Sequence, residues 1–117
     1  MLKFEESLDG SVNILSVSGR LDPSGGKDLR EAMEKLLPEG STGDLLVDLS
    51  SLEYMASAGF RELFLAGRKL GRRGCLLAVC GLTGEVRRVF ELARFDTAYP
   101  IYADRAEGIA HLQKKAG

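Results

Sequence analysis

At 117 residues the chain has room for one hydrophobic core and needs no disulfide or metal staple to hold it. Hydrophobic residues at 44% and charged residues at 28% describe an ordinary globular composition. Lysine and arginine number 16 against 17 acidic residues, a formal charge of −1, which gives no reason to expect nucleic acid or an anionic membrane as a general partner.

Met1-Leu2-Lys3-Phe4-Glu5-Glu6 is acidic and lacks the apolar centre of a signal peptide. No run approaches the roughly 18 to 20 apolar residues that a membrane span needs, so the expectation is a cytoplasmic protein without membrane insertion. Residues 2–7 and 12–18 read as two strands about Asp9-Gly10, a hairpin signal. Gly19-Arg20-Leu21-Asp22-Pro23 breaks that pattern. Ser24 then stands as a cap for a helix that places Leu29, Ala32, Met33, Leu36 and Leu37 on one face, and Pro38-Glu39-Gly40 stops it.

Leu45, Leu46 and Val47 form an apolar run too short for a helix and unbroken by charge, the mark of a strand buried on both faces. Asp48, Ser50 and Ser51 read as a turn. The small residues Ala56-Ser57-Ala58-Gly59 follow, and from Phe60 the period becomes helical through Leu63, Phe64, Gly67 and Leu70. A buried strand therefore delivers one serine to the first turn of an amphipathic helix, the place where α/β sheets gather ligands and modifications. Gly71 to Gly74 ends that helix among basic residues suited to its dipole.

Cys75 to Cys80 reads as a second buried strand with its two cysteines on opposite faces, hence unpaired, reduced and structural. Thr83 is a candidate cap for a helix carrying Val86, Val89, Phe90 and Ala93. Tyr99-Pro100-Ile101-Tyr102 reads as a short extended segment. Asp104-Arg105-Ala106-Glu107 has the form of a capping box for a last helix, with residues 114–117 a frayed tail. The order β-β-α-β-α-β-α-(β)-α, with Tyr99 to Tyr102 either a short strand or an extended connection, specifies an α/β fold: one domain over 1–117, a mixed sheet of about four to five strands covered by about four helices.

Three catalytic patterns come close and fail. Ala56-Ser57-Ala58-Gly59 approaches the nucleophile elbow, but Met55 stands where its first glycine belongs and the sole histidine, His111, lies near the C-terminus. Ser24-Gly25-Gly26-Lys27 lacks the first glycine of a phosphate loop, with Leu21 in its place. Asp48 as a phosphoacceptor would want an acidic pair after the first strand and a lysine after the last parallel one, and neither is there. No catalytic, metal or cofactor site is expected.

Gly19-Arg20-Leu21-Asp22, Val47-Asp48-Leu49-Ser50, Tyr54-Met55-Ala56-Ser57-Ala58-Gly59, Glu85-Val86-Arg87-Arg88-Val89-Phe90-Glu91-Leu92 and Tyr99-Pro100-Ile101-Tyr102 together resemble the STAS-domain family, in order and over nearly the whole chain. Its best-known members are bacterial anti-sigma-factor antagonists. The resemblance implies a non-catalytic module that binds an anti-sigma factor acting as a serine kinase, with phosphorylation at the position of Ser57. The family pattern has an aspartate where this chain has Ala56. A second reading is a STAS subunit docked constitutively on an ABC-transporter ATPase or a stressosome-like scaffold, with Ser57 only a helix cap.

A partner surface is also legible. At about 100° per residue, Arg61, Leu65, Arg68 and Arg72 fall in a stripe about 60° wide, opposite the apolar arc. An apolar centre rimmed by arginine is a common interface plan. With Ala56, Ser57, Ala58 and Gly59 at its head, that stripe is the expected partner-binding site.

Overall fold

The computed structural model describes residues 1–116. Its first two strands, β1 (Lys3–Asp9) and β2 (Val12–Leu21), pair antiparallel. The pairing is closed by Asp9 opposite Val12, so the loop is Gly10-Ser11, and Gly10 takes the positive φ of +61° that such a tight loop requires. β2 does not break at Gly19 as the sequence suggests. It runs on to Leu21, absorbing the irregular residues as register shifts against its neighbour.

That neighbour is β3 (Asp44–Met55), the longest strand and the middle of the sheet. Here too the turn expected at Asp48, Ser50 and Ser51 is strand. Strand pairing to β2 continues as far as Met55, opposite Leu21, and overrides the local turn preference of Asp and Ser. β4 (Leu77–Cys80) and β5 (Ile101–Tyr102) complete the order β1-β2-β3-β4-β5, parallel from β2 onward. Among the described residues four α-helices cover this mixed sheet: α1 (Gly25–Leu36), α2 (Ser57–Arg72), α3 (Gly84–Leu92) and α4 (Arg105–Ala116). The α/β class, the element order and the mixed sheet agree with the sequence reading.

The two faces of the sheet are filled unequally. Leu15, Val17, Leu45, Val47, Leu49, Leu77 and Val79 point to one side and pack with Leu29 and Met33 of α1, Phe60, Leu63 and Leu70 of α2, and Val86 and Phe90 of α3. Val12, Ile14, Leu46, Ala78 and Cys80 point to the other and meet only α4, through Leu112 and Ile109. Period-2 alternation in the strands thus produces a large core under three helices and a small one under the fourth.

Local chemistry differs from expectation in four places. Ser24 holds the N-cap position of α1 but its side chain does not cap the helix; instead the carboxylate of Asp22 accepts from the Ser24 amide and the Gly25 amide, both at 3.1 Å, and from the Ser24 hydroxyl at 2.7 Å. Those bonds, the hydroxyl first, hold the Asp22 carboxyl below the ordinary range. Cys75 lies before β4 rather than in it, with its sulfur accepting from the Gly43 amide at 3.3 Å. Both cysteines are free, and burial pushes the Cys80 thiol up to about 12, with the Asp48 carboxylate adding to the effect. A 3₁₀ turn at Phe95–Thr97 follows α3. α4 continues to Ala116, past Lys114 where the sequence reading ended it, and Gly117 lies outside the described residues.

Candidate functional site

The end of β3 and the start of α2 are held from three sides. The Ala56 amide donates to the Leu21 carbonyl at 2.7 Å, tying the loop to the end of β2. A Cβ at Gly59 would lie 2.7 Å from Met55 Cγ and 3.0 Å from a Leu21 methyl, and one at Gly26 would lie 2.9 Å from Ala58 Cβ. The small-residue knot is therefore a packing requirement: the first turns of α1 and α2 and the end of β2 all meet there, with no room for larger side chains. Ala56, at 7% exposure, and Gly59 are buried, and Ala58 is half-buried. Ser57 alone of the four is exposed.

Ser57 is not the cap of α2. Ala56 occupies the N-cap position with extended backbone (φ −77°, ψ 163°), Ser57 is the first helical residue, and no side chain caps this end. Among the described residues the exposed Ser57 hydroxyl has no protein hydrogen-bond partner. The cap role left open by the sequence is thereby overturned, for a geometric reason: a serine cap must itself lie outside the helix to bond back to its first turn.

From Ser57 the outer face of α2 runs through Arg61, Leu65, Arg68 and Arg72, all exposed, with Leu65 at 36%. None of the three arginines has an ion-pair partner among the described residues. The inner side explains why. Glu62 is 9% exposed and turns to Arg30 of α1 at 3.4 Å, while Lys69 pairs with Glu34 of α1 at 3.6 Å. The acid of this helix is spent on its neighbour, and the outer face is left with arginine only.

Sequence reasoning missed what lies beside that stripe. Tyr99 packs across Gly67, where any Cβ would collide with the tyrosine ring, and its hydroxyl reaches the Phe64 carbonyl at 3.3 Å. Phe64, Phe95 and Tyr99 form a ring cluster with centroids 5.2 to 5.8 Å apart. Arg61, Phe64, Leu65, Arg68 and Tyr99 line a notch of about 450 Å³. The only signal for it was Gly67, a glycine within an otherwise helical pattern. A second groove, about 510 Å³, lies between α1 and α2, crossed by the two ion pairs.

Asp48 is far from this in role. It is 7% exposed on the α4 side of the sheet, where its carboxylate takes the Arg105 guanidinium at 2.9 Å and the Ser50 amide at 3.0 Å, as well as the Ser50 hydroxyl. Burial alone would raise its pKa; the Ser50 bonds and Arg105 outweigh that and hold it below the usual carboxylate range. Among the described residues no group of three or more His, Cys, Asp or Glu is placed to hold a metal ion. Among the described residues, no helix is long and apolar enough to cross a membrane.

Comparison with known proteins converges. The family model described as "Mlab, STAS domain" matches residues 4–103. The anti-sigma F factor antagonist of Paenibacillus polymyxa is 22% identical over 112 residues, 96% of each chain. Among solved structures, an anti-sigma factor antagonist from Mycobacterium paratuberculosis superposes with a TM-score of 0.86 at 23% identity, covering 97% of this chain and 95% of that one. The Bacillus cell fate determinant SpoIIAA in its phosphorylated form superposes with a TM-score of 0.72 at 16% identity, covering 93% and 98%.

Proposed function

The chain belongs to the STAS-domain family, and from that premise we propose that it is an antagonist of an anti-sigma factor, a non-catalytic module that binds a partner-switching serine kinase and is released by phosphorylation of Ser57. The observation that carries this reading is the Ser57 hydroxyl: exposed, without a protein hydrogen-bond partner among the described residues, on the first turn of α2 and at the head of an arginine stripe unpaired among those residues.

In the phosphorylation step the Ser57 oxygen forms a bond to the γ-phosphorus of ATP, ADP departs, and the hydroxyl proton passes to the kinase. Magnesium and the catalytic base are the kinase's, so the absence of an aspartate at Ala56 removes nothing the transfer requires. The product adds a charge of about −1.5 to −2 and three acceptor oxygens. At a helix N-terminus that charge is tolerated or favoured by about 0.3 to 1 kcal/mol, so the fold survives. The cost falls on the interface, as repulsion of an acidic partner surface and desolvation of a dianion. A loss of about 3 kcal/mol there weakens binding by about two orders of magnitude.

The alternative, constitutive docking with Ser57 as a mere cap, draws no support from the geometry, since Ala56 holds the N-cap position. Pull-down from the native cell followed by mass spectrometry reads the partner and the phosphate on Ser57 together. Calorimetry with that partner then compares three chains. Wild type and Ser57→Ala are expected to bind alike, and Ser57→Glu to bind poorly while remaining folded. Equal affinity for all three sinks the switch.

A further inference from the structure

Resting on the reading of α2 as the partner-facing helix, we propose that the notch between α2 and Tyr99 is the anchor point of that interface, and that it takes one apolar side chain carried on an acidic segment of the partner. The notch has an apolar floor and a cationic mouth. Phe64 and Tyr99 are half-buried, their rings 5.8 Å apart, and Leu65 closes one side at 36% exposure. Arg61 and Arg68 stand at its two ends, and no carboxylate of the described residues lines it.

Charge complementarity decides the occupant. The chain as a whole carries −1, yet the outer face of α2 presents Arg61, Arg68 and Arg72 without a counter-ion among the described residues. The nearest acids of α1 and α2, Glu34 and Glu62, are held by Lys69 and Arg30. A partner segment rich in aspartate and glutamate supplies the missing charge, and planar guanidinium groups receive carboxylates in a bidentate fashion. An apolar residue between those carboxylates fills the notch, where tyrosine and arginine walls are the residue types that dominate binding energy. The notch is also rigid: Tyr99 lies flush on α2 because position 67 is glycine, and its hydroxyl is tied to the Phe64 carbonyl. A pre-formed pocket loses little entropy on binding. Residues 57, 61, 65 and 68 succeed one another on one helical face, so Ser57 and the notch lie about 12 Å apart along α2, within reach of one partner surface.

The test is a titration of nitrogen-15-labelled protein, followed by NMR, with three blocked hexapeptides: Glu-Asp-Leu-Leu-Asp-Glu, Lys-Lys-Leu-Leu-Lys-Lys and Glu-Asp-Ser-Ser-Asp-Glu. The first is expected to shift the amides of Phe64, Leu65, Gly67, Arg68 and Tyr99, at least tenfold more tightly than either of the others. Arg61→Glu combined with Arg68→Glu changes only exposed residues, and is expected to invert the preference toward the lysine peptide. The proposal is overturned if the notch amides stay unmoved at millimolar acidic peptide, or if the leucine and serine peptides bind alike. It is equally overturned if sedimentation shows a dimer that the arginine double variant dissociates, because the notch then belongs to a second copy. The captured partner separates this from the functional reading. Loss of affinity on Ser57→Glu with none on Arg61→Glu/Arg68→Glu removes the notch and leaves the switch standing.

Discussion

Ala56 is the residue whose chemistry matters most for what it lacks. It sits at the N-cap of α2, where aspartate, asparagine or serine would accept from a first-turn amide, and its methyl accepts nothing. Ala56→Asp is therefore expected to raise stability by about 1 kcal/mol, seen as a higher urea midpoint at unchanged slope. An unchanged midpoint would mean that the surroundings that bury Ala56 to 7% exposure hold the carboxylate away from the amides. Ser57→Ala, by contrast, removes a hydroxyl that bonds to nothing among the described residues, so its effect on the midpoint should stay within about 0.5 kcal/mol. A loss near 1 kcal/mol would restore Ser57 as a cap.

At the scale of elements, α4 alone covers its face of the sheet. Beside Leu112 and Ile109, it is placed by the Arg105–Asp48 pair and by Gln113, whose amide donates to the Asp9 carbonyl at 3.1 Å. Arg105→Ala leaves Asp48 with Ser50 alone. Because Arg105 is half-exposed, the expected loss is about 1 to 2 kcal/mol, between that of a surface pair and that of a buried one. The pH dependence has a definite sign. Asp48 has its pKa lowered by folding, so it binds its proton more weakly in the native state. Its contribution is complete above the unfolded carboxyl value of about 3.9 and is lost as pH falls through the lower folded value. The stability gap between wild type and Arg105→Ala should thus be constant at neutral pH and close only below about pH 4.

Gly81, where β4 gives way to the loop before α3, is bound to the same cluster. It has φ +77°, and a Cβ there would lie 2.8 Å from Ser50 Cβ and 3.1 Å from Asp48 Oδ1. Gly81→Ala should cost more than about 1 kcal/mol in chemical denaturation, through backbone strain and displacement of Ser50 together.

For the molecule as a whole, β3 is the central strand of the five, flanked by β2 and β4, which are themselves interior, and with core residues on both faces. Amides of Leu45 to Leu49 should exchange with deuterium most slowly, at rates set by global unfolding, while β1, at an open edge, and β5, two residues long, exchange by local opening. Faster exchange in β3 than in β2 would mean that the sheet opens from its centre.

This plan was legible because burial on both faces writes continuous apolar runs at Leu45–Val47 and Leu76–Val79, and helices write their period onto α1, α2 and α3. The full reach of β2 and β3 was hidden, since Gly19, Asp48 and Ser50 carry turn propensity that sheet pairing overrides. The 3₁₀ turn was hidden because Arg94, at φ 54°, takes a left-handed conformation that sequence advertises only through glycine or asparagine. Ser57 and the arginine stripe could be placed by counting along one helix. The notch could not, because Tyr99 and Phe64 meet across 35 residues of chain.

The lopsided placement of Arg61, Arg68 and Arg72 on a molecule of net charge −1 also bears on how fast a partner finds it. An acidic protein diffusing nearby feels an orienting field before any contact forms, and α2 is the side that turns toward it. Association should accelerate as ionic strength is lowered, with the dissociation rate almost unchanged. Phosphate on Ser57 cancels most of that field at its source. Stopped-flow traces at two salt concentrations would show a steep salt slope for the unmodified chain and a shallow one for the phosphorylated chain. The switch would then act first on the rate of encounter and only afterwards on the lifetime of the complex.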